Sequence, residues 1–160
     1  MALRNIVKDG DPILRKVCRP VEKFDERLAS LLEDMAETMH AADGVGIAGP
    51  QVGMMRRLCV VDCYDDEGVI ELVNPEIIAA SGEQTGSEGC LSFPGHNGAI
   101  SRAKHVKVKA QDRHGEWFEM EADDMLARCI QHENNHLDGV TIMDLATHFY
   151  EDDYPEENED

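Results

Sequence analysis

Residues 124–139 have the sequence DMLARCIQHENNHLDG and predict the helix around which the rest of the chain is arranged. Acidic residues begin this segment and a glycine follows its end, as helix termini favour. Four side chains recur at the three- and four-residue spacing of one helix face: Met125, Cys129, His132 and His136. We therefore expect a helix from Asp123 or Asp124 to Leu137, with both histidines pointing inward.

Outward from this segment, the chain predicts one more helix and several strands. Asp25 can cap a helix that runs to about Ala42, because its leucines and methionines follow the spacing of one buried face. A hairpin turn is predicted at His114-Gly115. Apolar or alternating runs predict strands at Leu58–Cys63, Val69–Val73, Glu76–Ala80, Val106–Ala110 and Glu116–Glu121. The predicted fold is α+β, a single domain of mixed or antiparallel β-sheets around the central C-terminal helix.

Composition sets limits on the class of protein. We expect residues 1–148 to form one domain and residues 149–160 to form an acidic, disordered tail. A net charge of -18 argues against direct nucleic-acid binding, and no apolar run reaches the roughly 20 residues of a membrane span. Five cysteines without a disulfide framework, and no targeting segment, favour the cytoplasm. Cys59 and Cys63 share a strand face, and we interpret both as packing residues.

The chemically informative pattern is His132-Glu133-Asn134-Asn135-His136. Two imidazoles one helical turn apart can bind one divalent metal ion, and the glutamate between them can act as a base for a bound water. The structural alternative is a pair of hydrogen-bonded core histidines.

A catalytic site of this kind needs a third ligand, and the spacing leaves the choice open. The metzincin pattern would place a histidine at position 142, which is Ile142. A zincin-type peptidase would have to use Asp144, a residue of the acidic tail or His148. Cys129 is seven residues from His136, about 10 Å along a helix, which is too far for both to bind one ion. Cys90 in the loop Ser87–Ser92 is a further candidate, with a free thiol as its alternative.

Three motifs occur in an order that resembles the peptide deformylase family. They are GVGIAGPQ at residues 44–51, EGCLS at residues 88–92 and QHENNHLDG at residues 131–139. Asn135 stands where an aspartate is frequent, so the hydrogen bonding near Arg102 is left open. Glu88 could accept a hydrogen bond from a metal-binding histidine or pair with Arg102, and the sequence does not choose.

The resemblance implies a metal-dependent hydrolase that removes the formyl group from N-formylmethionyl peptides. It implies that Cys90, His132 and His136 bind one divalent ion. Fe2+ is the expected metal in the cell, with Zn2+, Ni2+ or Co2+ as alternatives. Water would be the fourth ligand, and Glu133 would act as general base and then general acid.

The same resemblance implies how substrate is bound. Gln51 and the Leu91 backbone N–H would stabilise the oxyanion. Gly44 and Gly46 would let the peptide backbone approach as an added strand. The expected lining of an apolar methionine pocket is Ile47, Leu91, Cys129 and Ile130.

Two other classes of function remain open, a zincin-type metallopeptidase and a metal-binding protein without turnover. Members of the family that this chain resembles act on nascent chains. The resemblance therefore implies N-formyl-Met peptides as partners and a transient contact with the ribosome. Some members carry a basic C-terminal helix that docks on the ribosome. Here no lysine or arginine follows Arg128, so we expect any ribosome contact to use another face, around Arg56 and Arg57.

Overall fold

A computed structural model describes residues 2–150, whose strands form two antiparallel sheets. In chain order the elements are α1 (Glu26–Ala41), β1 (Gly46–Ala48), β2 (Leu58–Val61), β3 (Ile70–Ser81), β4 (Gln84–Glu88), β5 (Gly98–Arg102), β6 (His105–Gln111), β7 (Trp117–Asp123), α2 (Asp124–Leu137), α3 (Ile142–Leu145) and β8 (His148–Phe149). One sheet has the strand order β1-β2-β3-β6-β7, and the other has the order β4-β5-β8. The predicted α+β class with antiparallel sheets is confirmed.

The five-stranded sheet lies between the two long helices because strand β2 is apolar on both faces. Leu58 and Val60 belong to a buried cluster with the leucines and methionines of α1. Cys59 and Val61 belong to a second cluster, which includes Ile130 of α2. A strand buried on both sides needs no polar alternation, which is why this run is continuously apolar.

Both long helices begin and end close to the predicted residues. The Asp25 side chain accepts a hydrogen bond from the Leu28 backbone N–H at 3.1 Å, which caps α1 as expected. After α2, Gly139 adopts a φ of +76°, and a Cβ at this position would lie 2.6 Å from the Arg15 carbonyl oxygen. Glycine is therefore required here both by backbone conformation and by close approach.

Several strand predictions were wrong in their limits. The two strands predicted on either side of Asn74-Pro75 form one strand, β3, whose pairing with β6 shifts register at this point. Asn74 has a φ of +51°, and its side-chain amide donates to the Val21 carbonyl at 2.9 Å, so Asn74 and Pro75 make a bulge rather than a strand end. The turn at Gly115 joins β6 and β7 as predicted.

Other differences concern the helix face, the tail and the short strands. Met125 is 56% exposed, so the expectation that its side chain is buried was wrong, although it lines the same cavity as Cys129. Phe149, placed in the tail by the sequence, pairs with Gly98, and residues 151–160 lie outside the described residues. Strands β1, β4 and β5 were missed because each contains glycine or polar residues instead of a β-branched run. Within residues 2–150, no helix is long and apolar enough to cross a membrane.

Candidate metal centre

Two elements bring three candidate ligands together. His132 and His136 lie one turn apart on α2, with ring centroids 5.1 Å apart, and Cys90 follows the end of β4. The ligand atoms of the three residues all lie within 4.8 Å of one another. The Cys90 Sγ is 3.2 Å from the His136 Nε2. One thiolate and two imidazoles are a donor set suited to a tetrahedral ion with one position open, so the residues fit a catalytic metal.

The other ligands considered from the sequence lie outside this group. Asp144 caps α3 through the Thr141 backbone N–H and pairs with Arg15. His148 pairs with Ala99 in the three-stranded sheet. Within the described chain, no other group of three metal-binding side chains lies as close together.

Glu88 orients the first histidine and forms ion pairs with two buried arginines. Its Oε1 is 3.0 Å from the His132 Nδ1, and its two oxygens accept hydrogen bonds from Arg102 at 2.6 and 2.9 Å. Arg128 donates to the same carboxylate at 2.6 Å. The sequence left two roles open for Glu88, and the structure gives it both. A proton on Nδ1 directed at this carboxylate leaves Nε2 free to bind metal.

Asn135 preserves the hydrogen bonding at Arg102. Its Oδ1 accepts from the Arg102 Nη1 at 2.6 Å, so the amide supplies the acceptor that the sequence analysis left open. The Arg102 guanidinium group therefore has two side-chain partners, the Glu88 carboxylate and the Asn135 amide oxygen.

Replacing Glu88 with Gln should lower the free energy of unfolding at pH 7 by about 3–5 kcal/mol, because two buried arginine charges lose their counter-ion. Burial works against the Glu88 carboxylate, but hydrogen bonds and charges of Arg102 and His132 more than offset it and lower its pKa from 4.5 to about 2. This stabilisation is therefore complete above pH 4.5 and is lost as the pH falls toward 2. Denaturant unfolding of both proteins at pH 7 and pH 3 checks this: the difference should shrink at pH 3, and an equal difference at both values would contradict it.

Glu133 lies beside the ligands without being one. It is 3% exposed, and its Oε1 has no hydrogen-bond partner among the described residues. Burial raises the pKa of Glu133 to about 7, against the opposing charge of His132. A buried carboxyl group with an unused oxygen and a pKa near neutrality is suited to accept and return a proton.

The missing Cβ atoms of Gly44 and Gly46 accommodate neighbouring side chains. A Cβ on Gly46 would lie 2.9 Å from the Cγ and Cδ of Glu133, and one on Gly44 would lie 2.7 Å from a Leu91 methyl carbon. Glycine at position 46 therefore keeps the carboxylate in place. The sequence interpretation, which was limited to turns and to peptide approach, missed this reason.

Gln51 serves both as a loop cap and as a neighbour of the metal ligand. Its Oε1 accepts from the Ala48 backbone N–H at 2.9 Å. Its Nε2 lies 3.5 Å from the Cys90 Sγ and 3.2 Å from the Ser92 Oγ. The side chain is 1% exposed, so the amide is held in one orientation with its N–H group directed at the site.

A cavity of about 400 Å³ opens beside these groups. Of the predicted substrate-binding residues, it is lined by Gly44, Gly46, Leu91 and Cys129. The Ile47 and Ile130 side chains instead lie in the two buried clusters on either side of the sheet, so neither lines the cavity. Among the lining residues that the sequence analysis missed are Val45, His96, Asn97, Met125 and Arg128. The position of Arg128 on the inward face of α2 could have indicated that it lines the cavity, whereas no sequence pattern marked the loop residues as lining residues.

Comparison with known proteins gives consistent matches over nearly the whole chain. The family model described as polypeptide deformylase matches residues 3–151. A peptide deformylase of Clostridium botulinum is 52% identical over 147 residues, covering 92% of this chain and 99% of that protein. Peptide deformylase 1 of Bacillus anthracis is 51% identical over 152 residues, covering 95% and 97%. The crystal structure of peptide deformylase from Thermotoga maritima matches with a TM-score of 0.88 and 44% identity, covering 91% of this chain and 98% of that one.

Proposed function

This chain belongs to the peptide deformylase family of metal-dependent hydrolases, and we propose that it releases formate from the N-formylmethionyl end of newly made proteins. The proposal is supported above all by the proximity of the Cys90, His132 and His136 ligand atoms beside an open cavity. A metal-binding protein without turnover would need neither the cavity nor a buried carboxyl group with an unpaired oxygen.

The donor set supports one divalent ion, for which we propose Fe2+, with Zn2+, Ni2+ and Co2+ compatible with the same ligands. When bound, such an ion would lower the pKa of a coordinated water and polarise the formyl carbonyl group. Binding requires both imidazoles in their neutral form. The Glu88 hydrogen bond to His132 supports the tautomer in which Nε2 is free.

The remaining chemistry is assigned to three groups of the chain. Glu133 would take the proton of the attacking water and pass it to the leaving amine, since its Oε1 is free to do so. The Gln51 amide and the Leu91 backbone N–H would donate hydrogen bonds to the oxyanion. Gly44, Gly46 and Cys129 line the cavity in which we propose the formylmethionine binds.

A peptide assay tests this function directly. The metal-loaded protein should release formate from a formyl-Met peptide and should leave the same peptide intact when it carries a free amino terminus. Cleavage of an internal peptide bond in the unformylated peptide would support the zincin-type metallopeptidase instead. Metal binding without either reaction would support a protein without turnover.

For ribosome contact, we propose a face that carries unpaired basic residues. Arg19, Lys23 and Arg56 line one surface groove, and none of them forms an ion pair within residues 2–150. Arg57, considered with Arg56 from the sequence, instead pairs with Asp138 at 2.9 Å. Glu22 also lines the groove, so it carries three basic side chains and one acidic side chain. On a chain with a net charge of -18, a phosphate backbone would meet less repulsion here than over the molecule as a whole.

Deleting Glu151 to Asp160 should leave turnover of short formylated peptides unchanged and should not weaken ribosome binding, because the segment is acidic and contains none of the predicted site residues. The double variant Arg19→Glu/Arg56→Glu tests the proposed groove instead of the tail, and it should reduce co-sedimentation with ribosomes at low salt. A truncated chain that binds ribosomes less tightly than the full chain would contradict this assignment.

A further inference from the structure

Two cysteines that the metal centre does not use are in contact beside the cavity. The Sγ atoms of Cys63 and Cys129 are 3.7 Å apart. Cys129 lies on α2, three residues before His132, and lines the cavity. Cys63 lies two residues beyond β2 and is partly exposed. Cys59 is 1% exposed in the core and Cys63 packs against the same buried cluster, so the packing interpretation is confirmed for both.

The residues on either side of Cys63 hold one wall of the cavity. The Asp62 backbone N–H donates to the Val45 carbonyl at 2.8 Å, and the Tyr64 hydroxyl donates to the Gly44 carbonyl at 3.0 Å. Gly44 and Val45 are cavity-lining residues. Cys63 is therefore attached to the wall formed by residues 44–46, while Cys129 belongs to the adjoining wall formed by α2.

We propose that Cys63 and Cys129 are a modification site, a dithiol that a peroxide oxidises to a disulfide linking the two walls of the cavity. The Cys63 thiolate attacks the peroxide O–O bond and becomes a sulfenic acid, and hydroxide leaves and is protonated to water. The Cys129 sulfur then attacks the Cys63 sulfur and forms the S–S bond. The departing hydroxide takes the Cys129 proton as a second water, and the two thiols have lost two electrons.

Geometry distinguishes this pair from the other thiols. The distance between the two sulfurs must shorten by less than about 2 Å to reach the bond length of a disulfide. Cys63 is partly exposed, so its side chain has room to move by that amount. The hydrogen bond from Cys129 lowers the pKa of the Cys63 thiol against the opposing effect of burial. The same hydrogen bond and burial raise the pKa of Cys129, so Cys63 is the thiol that reacts with peroxide and Cys129 is the one that resolves the sulfenic acid. Burial also raises the pKa of Cys18 to about 11 and that of Cys59 well above its ordinary value, so neither is expected to react with peroxide first.

Peptide mapping tests the site without any substrate. The Zn2+-loaded protein is treated with hydrogen peroxide near equimolar amounts, free thiols are blocked, and the unreduced digest is examined by mass spectrometry. We expect a peptide pair joined through Cys63 and Cys129, with a mass loss of about 2 Da that dithiothreitol reverses. Cys18→Ser should form the same link, whereas Cys63→Ser should not.

Recovery of Cys63 and Cys129 as separate blocked or over-oxidised thiols would overturn the proposal and leave the pair as a packing contact. The link to the cavity rests on the proposed function, and is tested by assaying the oxidised protein with formyl-Met peptide. We expect kcat/KM to fall about tenfold and to recover on reduction, with zinc content unchanged. A disulfide that forms without changing kcat/KM would overturn the role in the cavity. A disulfide that forms in a protein without deformylase activity would overturn only the proposed function.

Discussion

Replacing Glu133 with Gln should leave the protein with its metal and reduce turnover of formyl-Met peptide by about 10²- to 10⁴-fold, the range for loss of a general base. The reason is that Glu133 lies outside the ligand group of Cys90 and the two histidines, so removing its charge does not remove a ligand. Its unpaired buried Oε1 is the atom that would be lost as a proton acceptor. Metal analysis of the purified variant, together with the rate of formate release, measures both parts of this expectation.

Gly46→Ala provides an independent route to the same group. The added Cβ would meet the Cγ and Cδ of Glu133 at 2.9 Å, so the carboxylate must move although its chemistry is unchanged. Turnover should fall while metal content stays near that of the parent.

Two outcomes for Glu133→Gln would contradict the assignment of the base. An empty metal site would mean that Glu133 holds the metal, and normal turnover would exclude Glu133 as the base.

The sequence predicted the parts of the site whose geometry is local. Both histidines lie on one helix, so a four-residue spacing already places them on one face, and the limits of α2 were found within a residue. Cys90 is different, because it lies 42 positions before His132 along the chain, and spacing alone could not bring them together. Only the resemblance carried by three ordered motifs joined the two segments.

Contacts that depend on tertiary packing were beyond the sequence. Arg128 carried no motif, yet it shares the carboxylate of Glu88 with Arg102. Cys63 lies beyond the end of β2 at Val61 and packs against the same buried cluster as Cys59, but its contact with Cys129 was not predicted. In both cases the partner is distant along the chain, and the identity of the residue does not specify which partner it meets.

Replacing Cys90 with Ala should empty the metal site and abolish deformylation. Cys90 is the thiolate of a three-residue donor set, and two histidines alone cannot complete a tetrahedral site. We expect metal affinity to fall by more than about a hundredfold, beyond the loss typical of a group that only supports a ligand. Metal content after dialysis and the rate of formate release should fall together, whereas in Glu133→Gln only the rate should fall.

The other cysteines provide matched controls, because each is a free thiol in the same chain. Cys18→Ala, Cys59→Ala and Cys63→Ala should each retain metal and turnover. A zincin-type site would stay filled in Cys90→Ala, since its third ligand lies elsewhere, so retained metal would overturn the ligand assignment. If Cys129→Ala emptied the site and Cys90→Ala did not, the distance along α2 that separates Cys129 from His136 would have been misjudged. Because the Cys90 and His136 ligand atoms are 3.2 Å apart, we expect Cys90→Ala to lose the metal and Cys129→Ala to keep it.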